Sequence, residues 1–252
     1  MFVNYPQPQD IPALQQLWQE AFQDDDAFLD KFFATGYKQN RCRVVMQNGQ
    51  VTAALYWFDC QWEGKKLAYL YAVATAKAFQ GKGLCRFLME DTHALLGQLG
   101  YAGAVLVPGS DSLRGMYEKM GYRAATTIQE LSSGAGIEAF PVVKISPAEY
   151  ARLRRAMLPD GGIVQEGAGL AFLETYSQFY AGNGCLLCAI QDGQKLNVPE
   201  FLGDVSRIPG ILRHLGCQNG AFRTPGPGKP FAMYRSFTED TSAPNYLGHA
   251  YD

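Results

Sequence analysis

Apolar residues first recur at helical spacing. Leu14, Leu17, Trp18 and Phe22 share one face of DIPALQQLWQEAF (10–22), with Asp10 as N-cap and Pro12 in the first turn, so a helix is predicted there. A second helix follows the acidic triplet in DDDAFLDKFF. Three strand candidates come next. CRVVMQ (42–47), VTAALYWFDC (51–60) and KLAYLYAVAT (66–75) read as strands, and Asn48-Gly49 between the first two is a hairpin signal. Leu67, Tyr69, Tyr71 and Val73 alternate with Ala68, Leu70, Ala72 and Ala74, so both faces are apolar and this strand lies in the middle of a sheet. A helix is predicted from Leu84 to Leu99, with Leu84, Leu88, Leu95 and Leu99 as its buried stripe, Asp91 interrupting it and Gly100 ending it. AVLV (104–107) is a short strand stopped by Pro108. SLRGMYEKM is a short helix capped by Ser110 or Asp111 and closed by Gly121.

Between Leu131 and Pro141 the chain becomes LSSGAGIEAFP, which reads as a linker between one domain over 1–131 and a smaller one over 141–252. Beyond it SPAEYARLRRAML and GLAFLETYSQFY read as helices, CLLCAIQ and KLNVPEFLG as strands, IPGILRHLG as a short helix and FAMYRSF as a strand. This order echoes the first half.

Composition narrows the choice of partner. A net charge of −2 supplies no field to draw in nucleic acid or an anionic membrane. Nowhere are there ~18 consecutive apolar residues, and the N-terminus lacks the pattern of a signal peptide. Six cysteines in 252 residues do not suggest a disulfide scaffold, so a reducing, cytoplasmic setting is expected. Cys185 and Cys188 lie in CLLCAI, where a strand points them to opposite faces and denies them a shared metal. His93, His214 and His249 are scattered without metal or triad spacing, so no metal is expected.

The candidate chemistry lies where strand becomes helix, at Gln80-Gly81-Lys82-Gly83-Leu84-Cys85. Two glycines permit a tight turn and close approach of a ligand, and a helix start presents N–H groups and partial positive charge suited to phosphate. Lys82 and Arg86 flank the turn and can add charge-assisted contacts. A P-loop would need Lys and Ser or Thr after the last glycine, where Leu84 and Cys85 stand. A dinucleotide fingerprint would need a third glycine where Arg86 stands.

The turn resembles the [QR]-x-x-G-x-[GA] motif of the GNAT superfamily of acyl-CoA-dependent N-acetyltransferases, with Cys85 at the last position instead of Gly or Ala. YAVATAKAFQGKGLCRFLME resembles that family's central strand, turn and helix, and VPGSDSLRGMYEKMGY its next strand and tyrosine-bearing helix. The likeness covers roughly residues 1–130, and the chain as a whole is most similar in appearance to the enhanced-intracellular-survival type, which carries a second, degenerate GNAT-like half. It implies an α/β fold: a mixed, mostly antiparallel central sheet flanked by helices, then a degenerate GNAT-like domain. It also implies acetyl-CoA as co-substrate and direct transfer to a primary amine, on a small molecule or a peptide, in a ternary complex. Backbone groups of Val73, Ala74 and Thr75 would hold the pantetheine arm and the thioester carbonyl. The amides of Gly81, Lys82, Gly83, Leu84, Cys85 and Arg86 would hold the pyrophosphate. Tyr117 would donate a proton to the departing thiolate, and Ser110 and Ser112 either contact CoA or only cap their helix.

Other assignments stay open on sequence alone. Glu63, Asp59, Tyr69, Tyr71, the Asp252 carboxylate or a water chain could accept the amine proton. Asp24–Asp26 either attracts a cationic amine or caps the second helix. Trp18, Trp57 and Trp62 are core or acceptor-pocket walls. The second half has no [QR]-x-x-G before IPGILRHLG, so it should not bind CoA; it covers the acceptor cleft or forms a subunit interface, as in a homo-oligomer. The alternative to an enzyme is a non-catalytic acyl-CoA-binding module.

Overall fold

The first predicted helix forms as α1 (Ile11–Phe22), which buries Leu14, Leu17 and Trp18, after a short strand β1 (Phe2–Asn4). Asp10 holds the N-cap position, but its carboxylate accepts the Gln7 N–H at 2.7 Å in the preceding turn instead of capping α1. The second helix, α2 (Asp26–Lys31), is capped by Asp25, which accepts from the Phe28 N–H at 2.8 Å. Next come β2 (Cys42–Gln47), β3 (Gln50–Trp62), β4 (Lys65–Thr75), α3 (Leu84–Gln98), β5 (Gly103–Leu106), α4 (Asp111–Glu118) and a two-residue strand, β6 (Arg123–Ala124). β1 to β4 pair antiparallel in order, and β5 joins β4 in parallel.

The buried face of α3 departs from the expected leucine stripe. It runs through Leu84, Leu88, Met89, Thr92, His93 and Leu96, while Leu95 is half-buried and Leu99, just past the helix, is 45% exposed. Thr92 donates its hydroxyl to the Leu88 carbonyl at 2.7 Å, which lets a polar residue face the core. Apolar periodicity alone misses a face that includes Thr and His.

The computed structural model, which describes residues 1–251, divides into two compact units: Met1–Arg123 with Tyr234–Thr241, and Ala124–Met233 with the chain from Ser242 onward. In the second unit β7 (Thr127–Gly134) is followed by β8 (Val142–Ile145), α5 (Pro147–Met157), β9 (Val164–Gln165), α6 (Ala168–Glu174), β10 (Gln178–Gly182), β11 (Cys185–Asp192), β12 (Lys195–Gly203), α7 (Ile208–His214), β13 (Asn219–Pro225) and β14 (Lys229–Pro230). Two local expectations change. Residues 131–134, read as the start of a linker, complete β7, where Leu131 pairs with Phe222 and the small residues Ser132–Gly134 with Ala221, Gly220 and Asn219 of β13. The segment GLAFLETYSQFY is α6 and then β10, because the helix ends at Thr175 and Gln178–Gly182 pairs with both β8 and β11.

The strand order of this second sheet is β14-β7-β13-β12-β11-β10-β8, and β12 and β13 are parallel. β12–α7–β13 therefore repeats the strand–helix–parallel-strand arrangement of β4–α3–β5. Its core joins Leu187, Val198, Phe201, Ile211, Leu212 and Phe222 under α7. Cys185 belongs to that core, whereas Cys188 donates toward the Ser177 hydroxyl at 3.4 Å, so the two thiols do part as the strand period predicts.

The last strand, β15 (Met233–Ser236), does not stay with its sequence neighbours. It lies beside β5 in the first sheet, whose order is β1-β2-β3-β4-β5-β15-β6. β7 makes the reciprocal move, following α4 in sequence but pairing with β13. Gly103 of β5 admits the return strand: a Cβ there would sit 2.5 Å from the Tyr234 ring and 2.6 Å from the Arg235 carbonyl oxygen. Among the described residues no helix is long and apolar enough to cross a membrane.

Candidate active site

β4 and β5 pair only at Leu67–Tyr69 with Gly103–Val105, so the two parallel strands part beyond Tyr69. β4 also departs from regular alternation there. Ala54 opposes Ala74 and Tyr56 opposes Tyr71, leaving Ala72 and Val73 against the single residue Leu55. Ala72 sits at φ 47°, a conformation an L-residue occupies only at a cost of about 1–2 kcal/mol. The result is a β-bulge, a device that re-aims backbone groups. The uniform alternation expected over Leu67–Thr75 fails at this point, and Tyr71, Ala72 and Val73 are all half-buried. Val73, Ala74 and Thr75 follow on the side of β4 that β5 no longer uses.

Gln80 ties the following turn to the end of β4 by donating its side-chain amide to the Thr75 carbonyl at 3.1 Å. Gly81 and Gly83 adopt φ 73° and 78°, and no heavy atom lies within 4 Å of where a Cβ would stand on either. Backbone conformation, not crowding, calls for glycine here. Gly83 is the N-cap of α3, and glycine brings no side-chain acceptor, so the leading amides of Leu84, Cys85 and Arg86 carry the helix's positive end without a capping side chain. Leu84 is buried and anchors the turn. The Lys82 ammonium folds back, donating to the Ala78 carbonyl at 2.9 Å and lying 5.0 Å from the Phe79 ring centroid. Arg86 extends along α3 toward Glu90, 3.9 Å away.

α4 is capped as expected by Ser110, which accepts from the Leu113 N–H at 3.3 Å and shares a 2.9 Å hydrogen bond with Ser112. Tyr117 is buried on this helix, and its ring meets that of Tyr122 edge-on at 5.8 Å. Burial, and then the neighbouring Cys85 thiol, hold the Tyr117 phenol above its ordinary pKa. Burial pushes the Cys85 thiol itself up to about 11.

Behind Tyr117 lies a polar chain that local sequence reasoning missed. His93 Nε2 is 2.8 Å from the Tyr122 hydroxyl, and His93 Nδ1 is 2.9 Å from Arg235 Nη1. The same Arg235 nitrogen donates to the Met120 carbonyl at 2.6 Å. His93 falls on the core face of α3, three residues before Leu96, which is the one signal that marks it as buried.

The other candidates are engaged locally. Asp24 accepts the Trp18 indole N–H at 2.8 Å, Asp25 caps α2, and Asp26 accepts from Gln19. Asp59 accepts from Arg41 Nε and Nη2 at 3.0 Å and from the Tyr101 hydroxyl. Burial alone would raise its pKa, but these partners hold it below the usual carboxylate value. Glu63 is exposed in the β3–β4 turn, and Asp252 lies outside the described residues. Trp18, Trp57 and Trp62 are all buried; Trp18 centres an aromatic cluster, 4.6 Å from Phe32, 5.4 Å from Tyr56 and 5.5 Å from Tyr71 between ring centroids.

Residues 3–125 match the family of the acetyltransferase (GNAT) domain. The first unit is a GNAT acetyltransferase domain. The chain is an acyltransferase, and the parted strands, the glycine turn and α4 are the parts of its GNAT fold described above. The fold extends over both units: a GCN5-related N-acetyltransferase from Anabaena variabilis is 15% identical with a TM-score of 0.74, covering 94% of this chain and 73% of its own. One from Kribbella flavida is also 15% identical, at TM-score 0.70 over 93% of this chain and 70% of that one. Eis1 from Mycobacterium abscessus is 10% identical, at TM-score 0.69 over 94% and 74%, in keeping with the likeness to the enhanced-intracellular-survival type. No curated protein matches the chain. Among the described residues of this GNAT protein, no three or more His, Cys, Asp or Glu cluster as a metal site would need.

Proposed function

We propose that this acyltransferase moves an acetyl group from acetyl-CoA to a primary amine by direct attack in a ternary complex. The observation that carries this reading is the uncapped start of α3, turned by two left-handed glycines and following a β4 that has parted from β5. The residues fit the cofactor: the space around Gly81 and Gly83 is open, and amides at a helix N-terminus bind a diphosphate. Bound acetyl-CoA supplies an activated thioester.

The amides of Gly81, Lys82, Gly83, Leu84, Cys85 and Arg86 hold the diphosphate, with Ser110 and Ser112 as further contacts. Val73, Ala74 and Thr75, re-aimed by the bulge at Ala72, pair with the pantetheine arm, and an N–H there stabilises the developing oxyanion by a few kcal/mol. The amine nitrogen forms its bond to the acetyl carbon as the carbon–sulfur bond breaks, and the proton that nitrogen gives up passes through water to restore the Tyr117 hydroxyl once Tyr117 has protonated the sulfur. Tyr117, which its surroundings keep protonated, gives its hydroxyl proton to the departing sulfur. The second unit has no glycine turn between β12 and α7 and binds no CoA.

Titration of the full chain with acetyl-CoA, followed by thiol release over a panel of amino sugars, polyamines, amino acids and peptide N-termini, tests the proposal. Saturable binding with turnover on at least one amine is expected. Binding without turnover on any amine would favour a non-catalytic acyl-CoA module, and absence of binding at millimolar acetyl-CoA would end the proposal.

A further inference from the structure

Arginine carries only donors, so the contact between Arg235 and His93 has one chemical meaning. Arg235 Nη1 donates to His93 Nδ1 at 2.9 Å, and that ring nitrogen carries no proton. The imidazole is therefore neutral, with its single proton on Nε2, 2.8 Å from the Tyr122 oxygen. His93 donates there and Tyr122 accepts. Arg235 Nη1 spends its second hydrogen on the Met120 carbonyl at 2.6 Å, just past the C-terminal end of α4, where a positive charge also suits the helix dipole. One guanidinium nitrogen thus fixes two things at once: the end of the helix that carries Tyr117, and the tautomer of the histidine that holds Tyr122. Tyr122 in turn packs edge-on against Tyr117 at 5.8 Å, and its N–H donates to the Tyr117 carbonyl at 3.1 Å.

The arrangement is tightly enclosed. His93 and Tyr122 are buried, the Phe237 ring stands 5.4 Å from the imidazole, and Arg235 Nε lies at ordinary contact distance, 3.6 Å, from where a Cβ on Gly121 would stand. Burial, reinforced by the Arg235 charge, holds His93 down at about 3, in agreement with the tautomer that the donors dictate. Arg235 is separated from His93 by 142 positions and reaches it on the return strand β15. The first unit completes its site with a residue from the far end of the chain.

We propose that Arg235 and His93 are positioning residues for acetyl transfer: together they lock Tyr122 and the C-terminal end of α4, and so set where the Tyr117 hydroxyl points. The proposal rests on Tyr117 being the proton donor. Neither residue touches substrate, so their loss lowers kcat and leaves the glycine turn, and hence KM for acetyl-CoA, near its original value. A misplaced catalytic group costs on the order of tenfold to a hundredfold in rate.

The test is a set of full-length variants assayed for thiol release from acetyl-CoA with the best amine of the panel, beside nitrogen-15 NMR of His93 in the unaltered protein. His93→Leu removes both hydrogen bonds and is expected to lose on the order of tenfold or more in kcat. His93→Gln offers a carbonyl oxygen to Arg235 and an N–H to Tyr122, and is expected to restore most of that loss. NMR is expected to show Nδ1 without and Nε2 with a proton at neutral pH. A proton on Nδ1 would overturn the proposal even if His93→Leu fails to fold, as would equal turnover in the Leu and Gln variants. Tyr117→Phe separates the two readings. If it lowers turnover while His93→Leu does not, the positioning role falls and the proton donor stands. If Tyr117→Phe turns over normally, the donor assignment falls, and the NMR result is read independently.

Discussion

Arg154 grips Glu200 through two parallel hydrogen bonds, Nε to Oε2 at 2.6 Å and Nη2 to Oε1 at 2.8 Å, with neither side chain more than 2% exposed. The Tyr150 hydroxyl donates to Oε2 at 2.5 Å and that of Tyr246 to Oε1 at 3.1 Å, so the carboxylate is fully occupied. Such a pair is costly to break because the survivor remains buried and charged. Glu200→Gln should lose about 3–5 kcal/mol of stability, read as a lowered urea midpoint. A loss under about 1 kcal/mol would mean that the pair contributes little.

The same cluster holds the end of the chain. Gln165 bonds the His249 carbonyl at 2.7 Å and its N–H at 3.0 Å, and a Cβ on Gly248 would stand 1.7 Å from Glu200 Oε1. Gly248→Ala should therefore release residues near the C-terminus, seen as faster amide exchange from Asn245 to Tyr251. Unchanged protection would refute the anchor.

Acid should weaken the fold from near-neutral pH downward. His93 has a folded pKa near 3, set first by burial and then by Arg235, against roughly 6.5 when unfolded. Between these values the unfolded chain binds a proton that the folded chain refuses, so stability falls with falling pH by up to roughly 1 kcal/mol per unit. Glu200 acts in the same direction at lower pH. Burial would raise its pKa, but Arg154 and then His249 hold it well below the usual value, so its contribution is present above about pH 4.5 and fades below. Urea midpoints between about pH 7.5 and 5 should show the His93 slope, and His93→Gln should flatten it.

Tyr117→Phe should bind acetyl-CoA with unchanged affinity and lose at least about 100-fold in turnover. Steady-state kinetics beside calorimetry checks both halves of that statement.

Gly83→Ala meets open space but keeps a left-handed backbone, so it should cost roughly 1–2 kcal/mol in stability. Relaxation of the turn to relieve that strain should weaken acetyl-CoA binding by on the order of tenfold. A variant with normal affinity would detach the turn from the cofactor.

The features legible in sequence were those written in local chemistry. Glycines at 81 and 83, a serine at 110 and the Asn48-Gly49 turn between β2 and β3 each report on their own neighbours. The bulge at Ala72 was not legible, because alanine is no turn former and only the register of β3 against β4 forces it there. His93 was passed over because its one mark, a place three residues before Leu96, lies off the leucine stripe from which the buried face was read. Arg235 was out of reach for a different reason: FAMYRSF announces a strand, but nothing within it says that it pairs beside β5. GLAFLETYSQFY suited either period, and pairing on both sides of Gln178–Gly182 decided the strand.

A ribosome makes this protein in an order that its first unit cannot follow. Gly103 and its neighbours emerge early, yet the strand that lies against them is synthesised only after the second unit's sheet has been written out. The nascent acetyltransferase domain must wait with an open sheet edge, so a stalled or truncated product ending before Tyr234 would be inactive and prone to pair with other chains. Release of active enzyme is thereby tied to synthesis of the chain at least as far as β15.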